Sequence, residues 1–218
     1  MSFAEAEYDH KRRKTRREEF LEEMEMLLPW KKLEAKIKRH YHRNKTGRPP
    51  YPLSVMLRIH CLQLFYNLSD PMMEDSLYEI ETMRRFAKLR LSERIPDETT
   101  ILNFRHLLES HHLGEKLLQE INKHLASRGC KLRKGTIVDA TLIEVPSSTK
   151  NKEKQRDPEM HQTRKGNQWY LGMKLHIGVD ADTGIVHSAT GTAANEHDIT
   201  QADKLLHGRE QGVHGDAG

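Results

Sequence analysis

Cysteine is scarce in this 218-residue chain, with Cys61 and Cys130 and no C-x-x-C spacing between them. A disulfide framework is therefore not expected, and both read as reduced, buried cytosolic thiols. No apolar run approaches the roughly 20 residues of a membrane span. The N-terminus is charged and has no apolar core, which excludes a signal peptide. The expected location is cytoplasmic, with no membrane partner. Internal repeats are absent, and aromatic residues make up only 6% of the chain. Hydrophobic residues at 36% against 31% charged leave it polar but able to fold, and the length suits one or two domains.

What is present is positive charge, unevenly placed. Lys and Arg number 36 against 32 Asp and Glu. Residues 1–132 hold 25 of the basic and 20 of the acidic residues, and 133–218 hold 11 and 12. The excess favours an acidic partner and belongs to the N-terminal part. Its densest run is Lys11, Arg12, Arg13, Lys14, Arg16 and Arg17, followed by Glu18, Glu19, Glu22 and Glu23. Two readings stand side by side: a solvated helix with i,i+4 ion pairs, or an arm that contacts phosphates.

Helical periodicity dominates up to about residue 130. Phe20, Met24, Leu27 and Leu28 form one stripe, ended by Pro29, and Trp30, Leu33, Ile37 and Tyr41 form the next. After the breaker Gly47-Arg48-Pro49-Pro50, the residues Leu53, Leu57, Cys61, Leu64, Phe65 and Leu68 predict a buried helix, and Asp70-Pro71 opens a shorter one through about Tyr78. Asp97 is placed to cap a helix that turns Ile101, Phe104, Leu107 and Leu108 inward and leaves Asn103, Arg105 and His106 elsewhere. A following helix carries Leu113, Leu117, Ile121 and Leu125, with Arg128-Gly129 as its stop. These two helices can pack in the ordinary way or form a helix-turn-helix, in which case Asn103 and Arg105 would touch nucleic acid.

From about residue 131 the period changes to two. Trp169, Leu171, Met173, Leu175, Ile177 and Val179 alternate with Tyr170, Gly172, Lys174, His176 and Gly178, which predicts a strand with the first set buried. Asp180–Gly184 is expected to turn and 185–190 to return as a strand. Residues 136–145 predict an earlier strand, 146–166 a polar loop, 195–206 a helix and 213–217 a further strand. The fold class is thus α+β, a helical domain over 1–130 and an α/β domain with a mixed sheet over 131–218.

Two carboxylates stand on strand-like segments, Asp139 within Thr136–Thr141 and Asp216 within Val213–Gly218. Asp139 has neighbours that want burial, so its carboxylate needs a partner or a metal. Each can also be read as a strand-end or turn aspartate bound to backbone. Together they suit a divalent-metal phosphoryl-transfer site, in which Mg2+ takes one or two carboxylates plus phosphate oxygens. Two carboxylates are too few to hold two ions well. His176, His187, His197 and His214 have no recognisable metal-ligand spacing.

Several segments, in order, carry a resemblance. Val138-Asp139-Ala140-Thr141 with Pro146–Lys152 resembles the first catalytic segment of bacterial insertion-sequence transposases of the IS-five type. Arg156–Thr163 and Lys165–Tyr170 resemble the next segment, and His214–Gly218 resembles the segment holding the second catalytic Asp. Pro96–Thr100 with Phe104-Arg105 resembles the family's N-terminal domain. The resemblance implies an RNase H-like domain with a DDE site, which cuts DNA beside inverted-repeat ends and joins the freed 3′-hydroxyls to target DNA. It implies Asp139 and Asp216 as catalytic and metal-holding residues, Mg2+ (or Mn2+) as cofactor, DNA as partner and a homo-oligomer. The DNA contacts expected are Lys11, Arg12, Arg13, Lys14, Arg16, Arg17, Asn103, Arg105, Lys150 and Lys152. The family's Glu lies in a Tyr-x2-Arg-x3-Glu-x6-Lys pattern with no counterpart here, and neither Asp203 nor Glu210 can stand for it. The catalytic domain is therefore expected to be incomplete and the chain inactive by itself. The alternative is a non-catalytic remnant that occupies transposon ends or dimerises.

Overall fold

In the computed structural model the first helix, α1 (Arg16–Leu27), starts where Thr15 closes a capping box with Glu18. The structure describes residues 8, 10–41, 49–130, 135–145 and 157–215. By internal contacts the chain divides into two units, Met1–Ile121 and Asn122–Gly218.

The first unit is helical. After α1 come α2 (Trp30–Ile37), α3 (Leu53–Tyr66), α4 (Asp70–Glu79), α5 (Glu81–Phe86), α6 (Glu98–Ser110) and α7 (Leu113–Ser127), the last continuing into the second unit. Helix α3 is the apolar centre, with Val55, Met56, Leu57, Ile59 and Leu62 buried against Leu33, Ile37, Met73, Leu77, Ile101 and Phe104. The helix starts follow side-chain chemistry. Ser69 accepts from Met72 N at α4, which has a proline in its first turn, and Asp97 accepts from Thr100 N at 2.7 Å at α6. Helix α3 stops at Asn67, whose φ of 50° is left-handed, and Gly129 just past α7 has φ 74°. The expected inward position of Leu64 is corrected: its side chain is 68% exposed. Helix α3 already fills its core side with Val55, Met56, Ile59 and Leu62.

Buried charge in this unit is paired, although Arg84 Nε lacks a hydrogen-bond partner among the described residues. The Arg58 guanidinium donates to both Glu25 carboxylate oxygens, at 2.9 and 3.1 Å, and to Ser54 O at 3.1 Å, and lies 4.1 Å over the Trp30 ring. Arg84 donates to Leu77 O and Tyr78 O and pairs with Glu81.

Among the described residues the second unit forms a five-stranded mixed sheet: β1 (Gly135–Glu144), β2 (His161–Lys165), β3 (Gln168–Asp180), β4 (Val186–Ala193) and β5 (Gly212–Gly215). Strand β3 pairs antiparallel with β1, β2 and β4, and β5 lies parallel to β1. The β3–β4 turn forms as expected, because Asp180 accepts from Asp182 N, Thr183 N and Thr183 Oγ1, and Gly184 adopts φ 71°.

Three expectations change here. The segment 146–166 is not all loop, since His161–Lys165 forms β2 and returns through Gly166 at φ 62°. The expected helix over 195–206 is a 3-10 turn at Asp198–Gln201 and one helical turn at Ala202–Leu205. It lacks an apolar stripe long enough to repay nucleation, and Ile199 is 84% exposed. The covered face of β3 is mostly the opposite of the one expected: His176 and Asp180 are buried, whereas Trp169 is 63% and Leu175 37% exposed. The even residues face the segment after β4, where Ala194 and Leu205 are buried. That segment is tied down by Lys174, whose Nζ donates to Glu196 O and Asp198 at 2.8 and 2.9 Å, and by Ser188 Oγ donating to Leu205 O.

Candidate active site and nucleic-acid interface

Alternation along β1 places Asp139 on the same face as its β3 neighbour Ile177. Ile137, Ile143 and Leu175 share that face by register, and all three are exposed. Asp139 is itself exposed, and its Oδ1 accepts from Ala140 N at 2.8 Å. The expectation that its neighbours bury it is thus corrected: the covered face of this strand belongs to Thr136, which is fully buried opposite Asp180. A carboxylate on the open face keeps lone pairs free to meet a cation or be solvated.

Strand β5 runs beside β1 with pairs Gly135–Gly212, Thr136–Val213, Ile137–His214 and Val138–Gly215. The last pair consists of the residues that immediately precede Asp139 and Asp216 in the sequence. Asp216 lies outside the described residues, as do Lys150 and Lys152.

The residues expected to contact DNA divide by their partners. Lys11 pairs with Glu18 and lies over the Tyr8 ring, and Lys14 donates to both carboxylate oxygens of Glu22 at 2.8 and 2.7 Å. The Glu22 carboxylate raises the Lys14 ammonium above its ordinary value. Burial pushes the Glu18 carboxyl up, but hydrogen bonds from Lys11, Thr15 and Tyr8 outweigh it and bring it down to about 2. Arg12, Arg13 and Arg16 are exposed, and Arg17 lies 5.3 Å over the Tyr66 ring. Asn103 is exposed on α6. Arg105 is held by Asp70 at 2.9 Å and by Glu109 at 3.1 Å. Asp70 also accepts from Gln63 Nε2 at 2.8 Å, so these groups tie α6 to α4 and α3. Sequence reasoning passed over the basic residues of α2 and of the turn after it, Lys31, Lys32, Lys36, Lys38 and Arg39, all of them exposed. A charge count over short windows would have found them.

Comparison with known families follows the same division. Residues 8–107 match the family model described as Transposase domain (DUF772), and residues 131–218 match the Transposase DDE domain. Together they support a DDE-type insertion-sequence transposase. No solved structure matches the chain.

DDE transposase domains are generally dependent on divalent metal. Among the described residues no three His, Cys, Asp or Glu side chains gather in a group that could hold an ion. The donor chemistry of Asp139 fits such an ion, because its exposed carboxylate offers hard oxygen, the ligand type Mg2+ takes. Transposases bind DNA, in keeping with both matched domains. Among the described residues no helix is long and apolar enough to cross a membrane.

Proposed function

We propose that the chain is a transposase of the IS-five type. In this reading residues 1–130 bind duplex DNA at inverted-repeat ends, and residues 131–218 form part of an RNase H-like catalytic domain. The chain is read as cytoplasmic and as acting in a homo-oligomer. The observation that carries the catalytic reading is the exposed Asp139 on the open sheet face, with parallel β5 alongside and paired up to the residue before Asp216.

If the parallel register continues by one residue, Asp216 falls beside Asp139 and the two carboxylates face the same way. Asp139 and Asp216 would then hold Mg2+ (or Mn2+) through hard carboxylate oxygens. Divalent metal held there would supply activation of the attacking oxygen and stabilisation of the leaving one. In the reaction proposed, a water oxygen attacks the scissile phosphorus and the P–O3′ bond breaks to free a 3′-hydroxyl. In the joining step that 3′-oxygen attacks a phosphorus of target DNA, and as the new O3′–P bond forms the target strand's own P–O3′ bond breaks, its oxygen leaving as a 3′-hydroxyl. Lys and Arg of the first unit position the duplex through its phosphates.

The test is Mn2+ titration of the 218-residue polypeptide with and without DNA carrying the element's ends. Binding that is lost in Asp139→Ala and kept in Asp203→Ala supports the reading, and equal binding by Asp139→Ala overturns it. In the alternative reading the protein occupies transposon ends without chemistry, and its duplex binding would be indifferent to Mn2+.

A further inference from the structure

Between Trp30 and Tyr41 the chain carries Lys31, Lys32, Lys36, Lys38 and Arg39 against one carboxylate, Glu34. Glu34 is directed to Arg58 at 3.9 Å, and Lys32 and Lys36 lie 3.9 and 3.3 Å from Glu120. Lys31, Lys38 and Arg39 are exposed, and no ion pair to a described residue holds Lys31 or Lys38. These two lysines border one surface groove, lined also by Tyr41 and Pro49–Leu53. The positive strip continues past α2. Arg39 Nε donates to His40 Nε2 at 2.7 Å, and His40 stacks on His111 with ring centroids 4.0 Å apart. Lys116 Nζ donates to His111 O at 3.3 Å, which brings a further cation to the α6–α7 turn.

The helix dipole explains cations at the end of α2, such as Lys36 and Lys38. It does not explain Lys31 in the first turn, where a cation is disfavoured. The arm preceding α1 offers a contrast, since its Lys11 and Lys14 are already engaged by Glu18 and Glu22. Lys31 and Lys38 are seven residues apart, about 10 Å along the helix, so they can reach separate phosphates.

We propose that the face bearing Lys31 of α2 with Lys38 and Arg39 just past its end is a phosphate-contacting surface for duplex DNA, additional to the arm at residues 11–17. The proposal rests on the DNA-binding reading above and assigns it a surface. The contact is to the backbone, because ammonium and guanidinium groups meeting phosphates carry no base information.

The experiment compares the full 218-residue chain with K31Q/K38Q/R39Q on a duplex of mixed sequence, following log affinity against log salt. Each lost phosphate contact removes about 0.9 from the slope, so the triple variant should be shallower by about two to three. A charge-keeping variant, K31R/K38R/R39K, should retain the original slope, and all three exposed sites should leave the thermal midpoint unchanged. An unchanged slope in the triple variant overturns the proposal and assigns the face to another partner, such as an acidic protein. An equal loss of slope in the charge-keeping variant overturns it too. Absence of salt-dependent duplex binding by the unaltered chain would defeat the DNA-binding reading itself, before any variant is compared.

Discussion

Val138 and Gly215 face each other across the parallel β1–β5 pair, and each is followed in sequence by an aspartate. Parallel neighbours point the same way, so a single further pair would put two carboxylates side by side. The face they would share is the one that leaves Asp139 exposed.

The first prediction concerns this pair. If Asp139 and Asp216 hold a common ion, Asp139→Asn and Asp216→Asn should each weaken Mn2+ binding strongly. The double variant should then lose little more than either single one, because groups acting as a unit are not additive. Titration followed by the paramagnetic signal of free Mn2+ measures all four proteins. Independent, additive losses would show two separate sites and defeat the shared one.

A second prediction addresses the covered side of the same sheet. A Cβ built on Gly178 would lie 2.7 Å from Leu205 O, against backbone that cannot step aside. Gly178→Ala should therefore destabilise the chain by about 1–3 kcal/mol through overpacking. Gly191 on β4 has nothing within 4 Å of the same position. Its alanine variant should be neutral or stabilising by about 0.4–1 kcal/mol, through the unfolded state. Urea unfolding of both variants checks the contrast.

The parts of the fold that were legible in the sequence are those decided locally. Asp97 caps because its side chain reaches Thr100 N within one turn, and Asp180 organises the turn that Gly184 completes. The covered face of β3 was not legible. Alternation says which residues share a face, not which face is covered. Here His176 is buried because Thr192 Oγ1 meets its Nε2 at 2.8 Å, and Asp180 because Thr183 and Asp182 bond it. Strand β2 was missed for a related reason. His161–Lys165 has no apolar alternation, and its pairing comes from β3. At the candidate site, the carboxylate type of Asp139 was legible and its exposure was not, since exposure depends on what covers the neighbouring strands.

The third prediction concerns Arg105, expected from sequence to touch DNA. Its guanidinium joins Asp70 at 2.9 Å, with its side chain 37% exposed and that of Asp70 16% exposed. A half-exposed pair of this kind couples by about 0.2–1 kcal/mol. A double-mutant cycle of Arg105→Ala and Asp70→Ala should return a coupling of that size in urea unfolding. Selection from a randomised duplex pool tests the DNA role separately. A changed sequence preference in Arg105→Gln, with preference intact in Asp70→Asn, would assign Arg105 to base reading. Equal preference in both would leave it as a tie between α6 and α4.

The last prediction is a pH dependence that originates at Glu18. Its carboxyl ordinarily titrates near 4.5 and in the folded chain near 2, where bonds from Lys11, Thr15 and Tyr8 prevail over burial. A depressed folded value means that the unfolded chain binds the proton more readily, so acid favours unfolding. The stabilisation is fully present above about 4.5 and is lost progressively as pH falls towards 2. Glu18→Gln should lose most of this dependence, leaving a flatter curve of unfolding free energy between pH 5 and 2. It should also be less stable at neutral pH, because the amide oxygen can still accept from Thr15 N but carries no charge to pair with Lys11. Urea midpoints at several pH values for the two proteins decide the matter. Parallel curves would mean that other carboxylates, such as Glu25 or Asp70, carry the acid sensitivity instead.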